Sequence, residues 1–187
     1  AKKSKYVNQV VVSTESVKIK KFAQKFGASV PFIRPKHLAK SNSSSIDGVI
    51  HCLNHFKKNK IEFDYVVLLE PTSPLTSYKD INSAISILHK NRRRASSIVG
   101  VSKNINHHPS FLVKIQSNGK LKPYLKKFGS VMRQRISPLY FFDGSIYISK
   151  VETILRKKTF YHNDTLPYVT HKYKSFEIDD IIDHICV

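Results

Sequence analysis

The sequence has few of the features that mark secreted, membrane and metal-cluster proteins. Its 187 residues include two cysteines, Cys52 and Cys186, too few for a disulfide framework or a cysteine-based metal cluster. No apolar run reaches about 18 residues, so no membrane-spanning helix is predicted. No apolar segment with a small-residue cleavage site follows the basic N-terminus, so we predict a cytoplasmic protein without a secretory signal.

Acidic residues are scarce as well. The chain has 13 of them against 32 lysines and arginines, which gives a formal net charge of +19. Such an excess indicates an anionic partner or a lysine-rich composition, and one alternative is a basic nucleic-acid-binding protein. The lysines are spread over the whole chain without clustered aromatic residues, which argues against a nucleic-acid-binding face.

The motifs of several enzyme classes are missing. The sequence contains no GxxxxGK(S/T), no GxGxxG, no GxSxG and no zinc-ligand spacing. P-loop hydrolysis, zinc chemistry and nucleophile-elbow hydrolysis therefore have no support in these residues. The composition, with 41% hydrophobic and 24% charged residues, is that of a globular protein, and we treat residues 1–187 as a single domain.

The sequence does contain an alternation of strand and helix patterns. Runs with the continuous apolar character of buried strands lie at residues 10–12, 64–69 and 96–101. Helical spacing of apolar positions occurs at residues 19–26, 46–53 and 81–88. Gly27 is expected to end the first helix, and Asp80 to cap the third. This order predicts a three-layer α/β fold, a mostly parallel sheet with helices on both faces.

The alternation is interrupted between about Asn104 and Pro138. Residues 111–115 alternate in polarity, and Gly119 and Pro123 break the stretch that follows. This pattern predicts an insertion that carries a β-hairpin. Strand and helix patterns resume at residues 145–148 and 151–157.

Polar residues follow the predicted strands at the point where each strand ends. Ser13 follows the first strand, and Glu70 and Thr72 begin a stiff turn with two prolines after the second. Ligands of parallel sheets bind beyond the carboxyl ends of the strands, so these residues are candidate ligand contacts. The alternative is a rigid strand-to-helix turn with a helix cap.

Two acidic residues near the C-terminal end form the candidate metal site. Glu177 and Asp179 alternate around Ile178, so in a strand both carboxylates would point to one face. Paired carboxylates suit a hard divalent cation such as Mg²⁺. The alternative is an exposed acidic turn in which Asp180 and Asp183 cap a helix.

Other candidate residues each have a structural alternative. Arg34 offers a planar fork of donors to a phosphate or a base carbonyl, or is a surface arginine. Residues 133–135, Arg-Gln-Arg, could clamp a carboxylate or phosphates, or form a solvated strand edge. Phe160 and Tyr161 are an aromatic pair for which core packing is the usual explanation.

Taken in order, these segments resemble one family. They are VVSTE at residues 11–15, FIRP with Leu38, Ala39 and the serines to Ser45, LLEPTSPL at 68–75, Arg133-Gln134, GSIY at 144–147 and SFEID at 175–179. The chain resembles the acylneuraminate cytidylyltransferases, or CMP-sialic acid synthetases, along nearly its whole length. The order and separation of the segments make the resemblance specific.

The resemblance implies a fold, a reaction and an assembly. The fold is a Rossmann-like nucleotidyltransferase. The substrates are CTP and a nine-carbon 2-keto sugar acid, either N-acetylneuraminate or an acid of the legionaminate or pseudaminate type. The anomeric hydroxyl attacks the α-phosphate, and CMP-sugar and pyrophosphate are formed. The family also implies a homodimer, in which the inserted hairpin region of one subunit packs on the other.

Nucleotide contacts follow from the matched positions. Arg34 is expected to read the cytosine, and the main chain near Ser43 and the Ser45 hydroxyl to hold the nucleoside. Ser13 is assigned to the nucleotide as well.

Sugar and metal contacts follow in the same way. The expected sugar-site residues are Glu70, Thr72, Arg133, Gln134, Tyr147, Phe160 and Tyr161. The aromatic pair is expected to reach into the partner subunit's pocket. Glu177 and Asp179 match the carboxylates that hold Mg²⁺ on the phosphates, and with Arg133 they are the expected catalytic residues.

The sequence departs from the family pattern at several places. The first strand and the basic phosphate loop of the family have no counterpart, so the chain is interpreted as N-terminally incomplete, and an inactive or truncated remnant is an alternative. Glu70 replaces a glutamine, Thr76 an arginine and Phe111 a lysine, which predicts an altered acyl-sugar preference. Glu177 replaces an aspartate, so the metal geometry is expected to differ.

Overall fold

The computed structural model of the chain describes residues 1–104, 108–125 and 136–187. The helices are α1 (Val17–Lys25), α2 (Ser45–Lys58), α3 (Tyr78–Lys90), α4 (Val151–Lys157) and α5 (Ile181–Cys186). The strands are β1 (Tyr65–Leu68), β2 (Ser97–Asn104), β3 (Val113–Ile115), β4 (Leu121–Pro123), β5 (Leu139–Lys150) and β6 (Thr165–Val169). None of the helices in these residues has both the length and the apolar character needed to cross a membrane.

The main sheet has four strands in the order β1-β5-β2-β6. β5 is antiparallel to both β1 and β2, and β6 is parallel to β2. β1, β2 and β6 therefore share one direction, and β5 runs against them between β1 and β2. The register of β2 and β5 shifts between Val99 and Val101, so a bulge lies in the middle of the sheet.

Helices cover both faces of this sheet, as predicted. Neighbouring residues of β2 point to opposite faces, because side chains alternate along a strand. Ile98 packs with Ile81 and Leu88 of α3, and Val99 packs with α2 and α4. Burial of each such aliphatic side chain contributes about 1.5–3 kcal/mol, so these two clusters hold the three layers together. The predicted α/β fold class is confirmed, and the described sheet is mixed, because two of its three strand pairings are antiparallel and one is parallel.

The predicted helix ends are mostly confirmed. α1 begins after Ser16, whose hydroxyl accepts a hydrogen bond from the Ile19 amide, and it ends before Gly27, which has a positive φ of 75°. The predicted cap of α3 is corrected. Ser77 is the N-cap, and Asp80 is the third residue of the helix, where its carboxylate completes a capping box.

Two predictions about strands need correction. Residues 10–12 were expected to form a fully buried strand, but Val11 makes only an isolated bridge to Ser29, and the three valines are half-buried. The segment lacks a second neighbouring strand within the described residues. β6 was not predicted from the sequence, because Pro167 interrupts its short apolar pattern.

The predicted hairpin is present. β3 and β4 form a two-stranded antiparallel sheet, and Gly119 lies in the turn between them with a φ of 76°. The hairpin side chains are exposed, with Ile115 at 79% and Leu121 at 55%.

Candidate active site

The turn after β1 is tied to two other parts of the chain. The Thr76 hydroxyl donates a hydrogen bond to the Ser145 carbonyl of β5, at 2.9 Å. The Ile178 amide donates to the Thr72 carbonyl, at 2.8 Å. Thr76, which stands where the family usually has an arginine, therefore fixes the turn to the sheet. The turn, β5 and the C-terminal segment meet at the carboxyl end of β1.

Tyr147 of β5 lies at the centre of this region. It pairs with Leu68 of β1 on one side and with Val99 of β2 on the other. Its ring lies 5.6 Å from that of Phe160 and 6.3 Å from that of Tyr161, measured between centroids. Burial, and then the neighbouring Tyr161 and acidic groups, raise the pKa of Tyr147 well above its ordinary value. The phenol therefore stays neutral and acts as a hydrogen-bonding group.

The aromatic pair that was expected to reach a partner subunit is divided between two environments. Phe160 is only 6% exposed and packs in the core of its own chain, so the expectation is wrong for this residue. Tyr161 is 46% exposed and contacts Phe142 at 4.6 Å between ring centroids. Phe142, which the sequence reading did not select, extends the aromatic surface beside Tyr147.

A buried carboxylate that the sequence reading missed lies beneath this surface. Asp143 is 1% exposed and accepts hydrogen bonds from the hydroxyls of Ser102, Ser145 and Thr170. The Ser145 amide donates to it as well, at 3.1 Å. These donors come from β2, from β5 and from the residue after β6, so the Asp143 carboxylate joins three strands. An aspartate followed by glycine inside an apolar strand was the available indication.

Glu177 and Asp179 do come together, but not in a strand. Residues 175–178 have no regular structure, and the sheet position beside β2 is occupied by β6. The Glu177 carboxylate packs over Gly144, which has a positive φ of 63°, and a Cβ at Gly144 would overlap it. The glycine therefore provides the space in which the carboxylate lies.

The electrostatic environment of the Glu177 carboxylate favours a bound cation. Burial raises the pKa of Glu177, and the charges of Asp179, Asp143 and Glu70 raise it further, while the Ser73 hydroxyl opposes the shift. Within the described residues, neither Glu177 nor Asp179 forms an ion pair. Negative charge without a compensating cation, on hard oxygen donors, is the environment that Mg²⁺ prefers.

The donor set in the described part of the chain is small. It contains no group of three or more His, Cys, Asp or Glu side chains arranged to hold a metal ion. Asp180 and Asp183 form the capping box of α5, as the alternative interpretation proposed. Two carboxylates fit Mg²⁺ when water and phosphate oxygens complete its coordination, which is how Mg²⁺ usually binds in nucleotide sites.

The expected nucleotide residues lie on the loops around α2. The Arg34 guanidinium forms an ion pair with Glu15 at 3.1 Å and lies across Gly48 of α2. Within the described residues its Nε has no hydrogen-bond partner although it is buried. Ser43 donates its hydroxyl to the His37 carbonyl, at 3.0 Å, so this side chain holds the loop.

Two other nucleotide candidates stand at the ends of elements. Ser45 is the exposed first residue of α2, and Ser13 follows the bridge at Val11. Ile46 and Val49 of α2 belong to the same packed cluster as Leu68 of β1 and Tyr147. This cluster connects the start of α2 with the carboxyl end of β1.

Arg133 and Gln134 lie outside the described residues, and their assignments stay predictions.

The comparisons with known proteins agree with this arrangement. A family model described as cytidylyltransferase matches residues 1–180. The chain belongs to the cytidylyltransferase family. It is therefore a member of a family of nucleotidyltransferase enzymes, as the resemblance implied.

Relatives of this cytidylyltransferase include CMP-sugar synthases. It is 37% identical to the CMP-N,N'-diacetyllegionaminic acid synthase of Legionella pneumophila over 185 residues, 98% of this chain and 78% of the relative. It is 30% identical to an N-acylneuraminate cytidylyltransferase of Streptococcus agalactiae over 178 residues, 95% of this chain and 41% of the relative.

A solved structure supports the fold of this cytidylyltransferase. A CMP:2-keto-3-deoxy-manno-octonic acid synthetase in complex with CTP superposes with a TM-score of 0.56 and 11% identity. The match covers 90% of this chain and 75% of that chain. The Rossmann-like nucleotidyltransferase fold is confirmed.

Replacing Glu177 with glutamine should make the metal-free protein more heat-stable at neutral pH. The substitution removes a charge that burial and neighbouring carboxylates disfavour. Because the pKa of folded Glu177 is raised, the wild type loses stability as the pH rises above the ordinary value of 4.5. The difference in melting temperature should therefore open above that pH and close below it. Circular dichroism melts between about pH 4 and about pH 8, in chelator, measure it.

The control for this prediction is Glu62→Gln, which removes a carboxylate from an exposed position before β1. Its melting temperature should track the wild type across the pH range. A Glu177→Gln variant that is no more stable than the wild type at neutral pH would show that the carboxylates do not repel each other.

Proposed function

We propose that the chain transfers CMP from CTP to the anomeric hydroxyl of a nine-carbon 2-keto sugar acid and releases pyrophosphate. The observation that carries this proposal is the meeting of the turn at residues 70–76, Tyr147 and the Glu177–Asp179 pair at the carboxyl end of β1. The names of the relatives support the sugar class, since they include synthases of CMP-legionaminic and N-acylneuraminate type.

The reaction is an in-line substitution at the α-phosphorus of CTP. The sugar hydroxyl oxygen forms a bond to phosphorus, the bond between the α-phosphorus and the bridging oxygen breaks, and the hydroxyl proton leaves. Little covalent chemistry falls to the protein, so catalysis depends on positioning and on stabilisation of negative charge. A bound Mg²⁺ would neutralise charge on the triphosphate.

The carboxylates of Glu177 and Asp179 would hold this ion, and Gly144 leaves room for the Glu177 arm. Arg34, whose guanidinium lies across Gly48 of α2, would contact the cytosine ring through its fork of donors. Tyr147 and Tyr161 would line the sugar site, where a neutral phenol and an exposed ring suit a polyhydroxylated ligand.

Glu70 is the residue that would set the choice of acyl sugar. It stands at the carboxyl end of β1, and its charge raises the pKa of both Tyr147 and Glu177, so it faces the same space. A carboxylate only accepts hydrogen bonds, whereas the usual glutamine also donates them. This favours a substituent with N–H donors, which is consistent with a relative that makes a diacetylated legionaminic acid derivative.

Activity should require CTP, Mg²⁺ and a nine-carbon acid together. Pyrophosphate release is measured with each of the four nucleoside triphosphates and with N-acetylneuraminate, legionaminate and pseudaminate derivatives. Of the four nucleoside triphosphates, only CTP should support release, and only when the acid is present. Asp179→Asn should lower kcat by about 100-fold, because charge stabilisation at the transferring phosphate is lost.

Asp64→Asn is the matched control, since it removes the same charge at the opposite, amino end of β1. It should keep the kcat of the wild type. Turnover of another nucleotide in preference to CTP, or equal activity in Asp179→Asn, would contradict the proposal.

The proposal includes a homodimer. Apolar side chains are exposed both on the hairpin and on the first residues of β5; they include Ile115, Leu121, Tyr124, Phe141 and Phe142. Exposed apolar surface of this kind often marks a protein interface, and a two-stranded hairpin is only marginally stable by itself in water. A second copy of the chain, which presents the same surface, would cover both.

Ile115→Lys should convert the dimer to a monomer, because it puts a charge into the buried interface. Sedimentation equilibrium of the wild type should give twice the mass of the variant. Ile185→Lys in α5 is the control, since Ile185 is 77% exposed and Ile115 is 79% exposed. A monomeric wild type, or dissociation by Ile185→Lys alone, would contradict a dimer through the hairpin.

A further inference from the structure

The carboxylate of Asp80 binds side chains from three separate parts of the fold. It accepts hydrogen bonds from the Ser77 amide and hydroxyl, at 2.8 and 2.6 Å, which close the capping box of α3. Tyr168 of β6 donates its hydroxyl at 3.1 Å. Lys174 donates its ammonium at 2.5 Å.

The pair of Lys174 and Asp80 is shielded from solvent. The two side chains are 13% and 12% exposed. Burial opposes ionisation of Asp80, but the hydrogen bonds from Lys174 and Ser77 outweigh it and lower the pKa of the carboxyl. The other ion pair within the described residues, Arg34–Glu15, is considerably more exposed. A buried ion pair adds little net stability, because desolvation offsets the attraction, so a geometric role has to be considered.

Lys174 lies three residues before Glu177 in the chain. On the other side of Glu177, the Ile178 amide donates to the Thr72 carbonyl at 2.8 Å. The segment that carries Glu177 is therefore held at both ends, and residues 175–177 can extend by only about 3.5 Å each. Both contacts tie the segment to α3 and the turn before it, because Thr72 is in the turn that enters α3 and Asp80 is in the first turn of that helix.

We propose that Lys174 and Asp80 position the Glu177–Asp179 carboxylates over the end of the sheet and so set the affinity of the site for Mg²⁺. This inference rests on the proposed function and makes both residues positioning residues. Neither is required to touch substrate. Groups that orient metal ligands typically change metal affinity or activity by 10–100-fold when they are removed.

The test uses Lys174→Met, which removes the ammonium and keeps the length of the side chain. Asp80 then retains Ser77 and Tyr168, so the cap of α3 stays intact and the variant should fold. Asp80→Asn is the second variant, and it removes the negative charge of the same ion pair.

Two controls separate positioning from stability and from net charge. Tyr168→Phe removes another partner of the same carboxylate without touching the segment that carries Glu177. Lys172→Met removes the same charge from an exposed lysine two residues from Lys174.

The readouts are Mn²⁺ binding by electron paramagnetic resonance, the Mg²⁺ concentration for half-maximal pyrophosphate release, KM for CTP and the melting temperature. Lys174→Met and Asp80→Asn should weaken Mn²⁺ binding and raise the Mg²⁺ requirement by about 10-fold, and both controls should stay within about 2-fold of wild type. Lower melting temperatures with an unchanged metal requirement, or equal shifts in the controls, would overturn the proposal.

Failure of the proposed function is distinguishable from failure of this inference. If wild type binds Mn²⁺ but releases no pyrophosphate with any acid, the reaction is wrong, and the Mn²⁺ comparison among the variants still decides the role of Lys174. If wild type binds no Mn²⁺, there is no metal site to position, and the inference fails.

Discussion

The carboxylate of Glu177 lies near the carboxyl end of β1 under the repulsion of other carboxyl groups, and this is the constraint that the surrounding structure has to satisfy. The repelling groups belong to Glu70, Asp143 and Asp179. In a chain of net charge +19, the described residues still leave Glu177 and Asp179 without an ion pair. Burial, and then the charges of these neighbours, raise the pKa of Glu177, and a bound cation is the natural way to relieve the excess negative charge.

The fold meets this constraint by holding each carboxylate from a different element. Asp143 is buried and takes its hydrogen bonds from β2, β5 and the residue after β6. Glu177 lies over Gly144 because that position has no Cβ, and its segment is fixed through the Thr72 carbonyl and the pair of Lys174 and Asp80. Charges that would separate in a flexible chain therefore stay together, at the cost of some stability in the absence of a cation.

Local patterns in the sequence predicted much of the fold. The helices around Phe22, Leu53 and Leu88 were predictable because apolar spacing and flanking caps are local properties. The position of β5 between β1 and β2 was not, because strand order depends on pairings between residues far apart in the chain. The alternation around Ile178 predicted a strand incorrectly, since β6 occupies the sheet position beside β2.

The candidate site was predictable to a similar degree. The sequence predicted that Glu177 and Asp179 lie together and that the turn after β1 belongs to the site. It could not predict the roles of Asp143 and Lys174, because their partners are brought together only by the tertiary fold. The burial of Phe160 was not predictable either, since the sequence of an aromatic pair in a loop does not reveal which of the two rings is buried.

In the proposed function, the carboxylate site binds a cytidine nucleotide through a divalent cation. Calorimetric titration of CTP into the protein, with Mg²⁺ and then with chelator, tests this most directly. We predict binding that is at least about 10-fold tighter with Mg²⁺, because a triphosphate beside four carboxylates is repelled unless a cation lies between them. Equal affinity for CTP with and without Mg²⁺ would contradict the account.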